Sequence, residues 1–298
     1  MGRAPCQQTG CTAPPARYPS GEIGKDKTMD MNHINAQGLA LLGCGKMGSA
    51  MLQGWLANGL AAQNVWVLDP HPSDWLKAQG VHINEGLPSA PAVVLIAVKP
   101  QMMGEALPAL QALGNASTLF LSVAAGTTIA KFEAALGAQS PIIRAMPNTP
   151  AAVGHGMTAL IGNAHASAAQ MDMAQALMSA VGQVVRLDNE GQMDAVIGVS
   201  GSGPAYVFHM IEAMAAAGVA EGLAPDLALQ LAKATVAGAG HLAITSDESP
   251  EQLRINVTSP GGTTAEALKV LMDEQTGMPP LMRRAVRAAA ARSKELAK

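Results

Sequence analysis

Short, unbroken apolar runs recur through the first two thirds of the chain, each ending at glycine, proline or a polar turn. Leu39–Leu42, Val65–Leu68, Val93–Val98, Leu119–Val123 and Ile142–Met146 have the length and continuity of strands buried on both faces. Between them the spacing predicts helices over Met47–Asn58, Met102–Leu113 and Thr128–Leu136. Strands that alternate with helices predict a doubly wound parallel sheet with right-handed crossovers. Gly156–Ile161 and Val184–Leu187 read as late strands at its edge.

From about Met193 the strand signals stop. Ala205–Val219 is apolar on nearly every face, which predicts a helix buried all round. Asp226–Thr245 is amphipathic, with Asp226, Gln230, Lys233 and His241 along one stripe. Thr264–Met272 and Leu281–Ala297 read as further helices. A helical segment of this size can hardly bury so apolar a helix alone, so interlocking with a second copy is expected. The fold class is therefore α/β: an N-terminal Rossmann-type doubly wound sheet over 38–190, followed by an all-α dimerisation region over 191–298. Residues 1–37 carry little apolar periodicity, several prolines and a mixed charge cluster. They are expected to be a disordered leader.

Composition narrows the function. Apolar residues make up 49% of the 298, charged residues 14%, and the net charge is −3, with a mean hydropathy of +0.18. That balance argues against a nucleic-acid footprint. No stretch reads as an uncharged membrane span, so no membrane partner is expected. Cys6, Cys11 and Cys44 form no staple pattern, which suits a cytoplasmic location. No metal-ligand pattern is present.

The first run enters Gly43-Cys44-Gly45-Lys46-Met47-Gly48. In a strand–turn–helix, Gly43 permits the tight turn, Gly45 lets backbone approach a pyrophosphate, and Gly48 allows close helix–strand packing. Asp69 follows Gly48 by 21 positions and ends the second run. It reads either as the acid that takes a ribose 2′-hydroxyl or as a turn residue before Pro70. Ala97-Val98-Lys99-Pro100 and Val123-Ala124-Ala125-Gly126 follow later strands and are placed to line the nicotinamide side, since ligands bind beyond the carboxyl ends of such strands. Lys99 reads as a phosphate or ribose contact or as an exposed structural lysine. Met146–Pro150 is a rigid extended segment in which Asn148 hydrogen-bonds locally, or a plain crossover. Gly201-Ser202-Gly203-Pro204 and Ser259–Thr264 are loops of small polar residues in the helical half. The second reads as a helix start whose amides attract a carboxylate, or as a capped turn. His209 and Glu212, three apart, are expected as a buried structural pair. The basic end (Arg283, Arg284, Arg287, Arg292, Lys294, Lys298) reads as a solvated helix face.

Taken together, LLGCGKMGSAM, AVKPQ, SVAAGTT, IIRAMPNTPA, GVSGSGPAYVF and SPGGTTAEAL resemble the pyrroline-5-carboxylate reductase family from about Leu39 to the C-terminus. The resemblance implies a Rossmann domain and a helical domain that interlocks with a partner subunit. It further implies a homodimer assembled into a larger ring, and reduction of 1-pyrroline-5-carboxylate to proline with NADPH or NADH. By motif it places cofactor contacts at Gly43–Gly48, Ala97–Pro100 and Val123–Gly126. Substrate contacts fall at Val257, Ser259, Gly262, Thr263 and Thr264, with Thr264 as a proton donor or relay to the ring nitrogen. The family's adenosine-side asparagine has only a weak counterpart, Asn84.

Two other functions fit the two-part plan. A β-hydroxyacid dehydrogenase would resemble a family with a catalytic lysine on the first long helix of the second half, and Ala205–Glu221 contains no lysine. A non-catalytic NAD-binding protein would have no use for the paired hydroxyl loops.

Overall fold

The computed structural model describes residues 31–297. Within them, residues 31–213 and 270–297 form one compact unit and residues 214–269 another.

The first unit is built on an eight-stranded sheet: β1 Leu39–Leu42, β2 Val65–Leu68, β3 His82–Ile83, β4 Val93–Ile96, β5 Leu119–Ser122, β6 Ile142–Met146, β7 Gly156–Gly162 and β8 Gly182–Arg186. Their order is β3-β2-β1-β4-β5-β6-β7-β8. Strands β1 to β6 run parallel; β7 is antiparallel to β6, and β8 is parallel to β7. The expected strands are all present. Strand β3, only two residues long, was not among them.

Alternation along each strand divides the core into two layers. Leu39, Leu41, Val93, Leu95, Leu119 and Leu121 point to one face, against Met51, Leu52 and Trp55 of helix Lys46–Ala57. Ala40, Leu42, Val94, Ile96 and Phe120 point to the other, against Phe132 and Leu136 of helix Ile129–Leu136 and Leu110. Both faces are covered, so β1, β4 and β5 are buried at every position. The indole Nε1 of Trp55 donates to the Leu177 carbonyl at 2.8 Å, which satisfies its one polar atom inside the core.

Three expectations are corrected in this unit. Residues 32–37, assigned to the leader, form helix Asn32–Gln37, and Met31 and Ile34 are buried in the core; residues 1–30 of that leader lie outside the described residues. The helix expected over 102–113 is broken into 3₁₀ turns around a short α segment, Met103–Ala106. Pro108 removes a helical amide there and crowds the preceding turn. The loop expected at 201–204 is helical: Met193–Val196 passes through a π turn, Ile197–Gly201, and on to helix Gly203–Ala220.

Residues 214–269 are helical throughout their regular structure. They comprise the second part of Gly203–Ala220, Pro225–Thr245, Pro250–Asn256 and the start of Thr263–Leu271. Within the single chain, helix Gly203–Ala220 has no buried residue and Pro225–Thr245 buries only Ala228 and Ala232, so the burial expected for the first of them is not supplied by its own chain. Pro225–Thr245 is also long and apolar enough to cross a membrane by length and composition, a feature the sequence reading did not find. It nevertheless carries Asp226 and Lys233.

Candidate active site

Each parallel strand hands its chain to a loop at the same end of the sheet, and three of these loops form a row. The Gly43 amide donates to the Leu68 carbonyl at 2.8 Å, Ala97 to Leu42 at 2.9 Å, and Val123 to Ile96 at 3.0 Å. The ladder thus continues one residue beyond β1, β4 and β5. It brings Gly43–Gly48, Ala97–Pro100 and Val123–Gly126 side by side. Strand order reverses between β1 and β4, the point where an open α/β sheet binds its ligand.

The glycine loop has the local chemistry that a dinucleotide needs. Gly43 has φ +85°, and a Cβ there would come within 2.8 Å of Val98 Cγ1, so only glycine fits. A Cβ on Gly48 would stand 3.0 Å from the Gly43 carbonyl and 3.5 Å from Ala97 Cβ, so the helix packs directly on the loops. Gly45 faces open space. Helix Lys46–Ala57 has no side-chain cap and no acid in its first turn, which leaves its N-terminal amides available to an anion. Lys46 and Lys99 are exposed and Met47 is half-buried. The open face at Gly45 and the uncapped helix fit a pyrophosphate group.

Asp69 does more than end β2. Its Oδ2 accepts the Cys44 amide at 2.7 Å, and its Oδ1 accepts the His71 amide at 2.8 Å. Asn84, at φ +56°, holds the Asp69 backbone in place: Nδ2 donates to the Asp69 carbonyl at 2.8 Å, and Oδ1 accepts the Asp69 amide at 3.0 Å. The turn and ligand readings of Asp69 are therefore compatible, since the turn fixes a carboxylate against the glycine loop. Burial pushes the Cys44 thiol up; the Ser49 hydrogen bond opposes this and the Asp69 charge adds to it. The thiol stays protonated near neutrality.

Asn148 links two further segments. Its Oδ1 accepts the Met157 amide at 2.8 Å, and its Nδ2 donates to the Ser200 carbonyl and hydroxyl at 3.3 Å. It thereby joins the crossover after β6 to the π turn. Sequence reasoning missed a second link, the buried Arg144 of β6 with Glu190. The two lie 46 residues apart, and no local pattern marks them.

The Ser259–Thr264 loop belongs to the other unit. Helix Pro250–Asn256 ends at Val257, which is exposed, and Thr258 Oγ1 donates back to the Arg254 carbonyl at 2.6 Å. The Gly262 amide closes a turn on the Ser259 carbonyl at 3.0 Å, with Gly261 at φ +70°, and helix Thr263–Leu271 follows. Ser259 and Thr263 are exposed and Thr264 is half-buried. His209 and Glu212 do pair, at 3.1 Å, but both side chains are exposed, contrary to the buried pair expected. Lys298 of the basic end lies outside the described residues. Among the described residues no three His, Cys, Asp or Glu gather to hold a metal.

Comparison with known proteins fixes the family. A family model described as pyrroline-5-carboxylate reductase dimerisation matches residues 190–296. One described as NADP oxidoreductase, coenzyme F420-dependent, matches residues 38–126. The chain is 40% identical to a pyrroline-5-carboxylate reductase of Pseudomonas aeruginosa over 87% of its own length and 96% of the relative's. It is 42% identical to that of Synechocystis, over 87% and 98%. The chain belongs to the pyrroline-5-carboxylate reductase family. Among solved structures, the reductase from Coxiella burnetii superposes with a TM-score of 0.81 at 35% identity, covering 88% of this chain and 99% of that one. The Plasmodium falciparum enzyme, solved with NADP bound, gives 0.78 at 29% identity, covering 89% and 100%.

Proposed function

We propose that this reductase converts 1-pyrroline-5-carboxylate to L-proline with NADPH or NADH, in the cytoplasm, as a homodimer that assembles into a larger ring. The observation that carries the reading is the row of three loops at the point where strand order reverses, in a chain that aligns with these reductases over nearly their whole length. Residues 38–190 serve as the dinucleotide-binding part, and 191–298 as the substrate-binding and dimerisation part.

The reduced nicotinamide supplies a hydride when bound. The amides after Cys44 receive the pyrophosphate beside Gly43, Gly45 and Gly48, Lys46 and Met47 open the helix that faces it, and Asp69 takes the adenosine ribose. Ala97, Val98, Lys99 and Pro100, with Ala124, Ala125 and Gly126, line the nicotinamide side. A ribose 2′-hydroxyl would donate to Asp69, whereas a 2′-phosphate would meet like charge, so NADH is used well.

The substrate is a cyclic imine whose nitrogen protonates near neutrality. The iminium carbon already accepts hydride, so the protein mainly orients it. The Thr263 amide and the Ser259 hydroxyl hold the carboxylate, with the Gly262 turn beneath them, and Val257 borders the ring. The Thr264 hydroxyl bonds the ring nitrogen and holds or relays its proton. The test is loss of dihydronicotinamide absorbance on adding 1-pyrroline-5-carboxylate, with each cofactor, and proline oxidation in reverse. A chain that binds NADH but leaves both unreacted would overturn the reading.

A further inference from the structure

We propose that Glu190 is a positioning residue for the nicotinamide end of the site, an inference that rests on reading Val123–Gly126 as the loop beside that ring. One oxygen of its carboxylate, Oε1, accepts the Ile129 amide at 2.9 Å and Nη1 of Arg144. Ile129 is the first residue of the helix that follows the loop, capped by Thr128. A first-turn amide has no partner within its helix, and a carboxylate there is favoured by the helix dipole.

Arg144 makes the arrangement rigid. Its side chain on β6 is 7% exposed, and a guanidinium so buried requires a counter-charge. Glu190 therefore answers two needs with one atom, tying the start of the helix to the interior of β6. The turn that carries Glu190 is itself braced. Glu190 opens a turn in which Asn189 and Gln192 cap one another, and Gln192 also accepts the Asp188 amide at 3.0 Å. One turn further on, Asp194 accepts the Ser293 hydroxyl at 2.6 Å. Gly126, Thr128, Arg144, Glu190, Asp194 and Ser293 line a cavity of about 230 Å³. On one side of that cavity stands the end of the loop, and on the other the braced turn. If Glu190 is lost, the Arg144 charge is uncompensated and the Ile129 amide, three residues from Gly126, is left unpaired.

The test compares wild type with Glu190→Ala and Glu190→Gln; glutamine keeps an acceptor for the Ile129 amide but loses the charge facing Arg144. Affinities are measured for NADH and for ADP-ribose, which has the adenosine half without the nicotinamide. Turnover and the primary deuterium isotope effect on hydride transfer are measured alongside. In Glu190→Ala, kcat should fall roughly tenfold or more with a larger isotope effect, as misplacement of reacting groups produces. ADP-ribose affinity should stay at the wild-type value, and glutamine should recover part of the rate. Wild-type kcat and isotope effect in Glu190→Ala overturn the proposal, as does a parallel loss of affinity for NADH and ADP-ribose, which marks general damage. If the alanine variant does not fold, Glu190→Gln carries the same readings. A wild type that binds NADH but does not turn over overturns the functional reading, and this proposal with it.

Discussion

The sheet of the first unit and the helices of the second treat their apolar residues in opposite ways. In the sheet unit, Trp55, Phe120, Phe132 and the inward residues of β1, β4 and β5 are fully buried. In the helical unit, Met214, Val219, Leu227 and Leu231 are each 40–48% exposed. The difference follows from geometry. A sheet presents two faces, and its own crossover helices cover both. A helix apolar all round needs neighbours on every side, and 56 residues, 214–269, cannot supply them. The sheet covers its own apolar residues, although Val199, Phe208 and Leu281 of the same unit stay exposed; residues 214–269 have the surface of a half-built core and lie within the region, 190–296, that matches a dimerisation model.

The comparison breaks most sharply at Ala216. It is exposed in the single chain and lies mid-helix among apolar residues. Ala216→Asp should place an unpaired charge in the proposed subunit interface at a cost of about 3–5 kcal/mol. Light scattering should then report monomer or aggregate at concentrations where wild type is dimeric. A variant with wild-type mass would show that this helix lies outside the interface.

Trp55→Ala attacks the sheet core instead. Removing a fully buried indole costs about 3–5 kcal/mol and strands the Leu177 carbonyl that it satisfies. The melting temperature should fall by roughly 10 °C, while the mass below the transition stays that of wild type. Loss of assembly at low temperature would mean that the two units are not independent in this respect.

This contrast also marks what the sequence could reveal. Strands buried on both faces were legible because each is a continuous apolar run, and β1, β2 and β6 have the boundaries their residues predict. The glycine loop was legible because its constraint is local. Strand β3 was not, since His82 and Ile83 are too few to show a period. Helix Asn32–Gln37 was missed because Met31 and Ile34 bury an anchor too short to read as amphipathic. The polar framework of the site was illegible for another reason. Cys44–Asp69, Asn148–Ser200 and Arg144–Glu190 join residues 25 to 52 apart, and only the tertiary fold pairs them.

Within the sheet unit, Asp69 sets a smaller effect. Asp69→Ser removes the charge that a 2′-phosphate would meet and should shift the ratio of kcat/KM toward NADPH roughly tenfold, worth about 1–2 kcal/mol. An unchanged ratio would leave Asp69 as a brace for the glycine loop alone. In the helical unit, loss of one neutral hydrogen bond costs on the order of 1 kcal/mol. Thr264→Ala should therefore lower kcat several-fold, and Ser259→Ala should raise KM for the imine. Wild-type kinetics in both would make the loop structural.

The smallest effect lies at the edge of the sheet unit, where the structure expects a pH dependence. His82 stacks on Trp66 with centroids 4.9 Å apart. Its Nδ1 meets Glu85 Oε2 at 2.9 Å, and its Nε2 meets the Gln63 carbonyl at 3.0 Å. Both neighbours are acceptors, and only the imidazolium has two N–H donors. Glu85 first, then the Gln63 carbonyl, therefore raise its pKa above the ordinary 6.5. A folded pKa above the unfolded one contributes stability that is fully present below pH 6.5 and is lost as pH rises through the folded value. Glu85→Gln removes the larger cause. The His82 titration, followed by NMR, should move down in this variant. The difference in melting temperature between wild type and variant should be largest below pH 6.5 and vanish above the wild-type midpoint. The ring is solvent-accessible, so the difference should be small. A wild-type His82 that titrates at 6.5 would show that the Glu85 contact does not persist in solution.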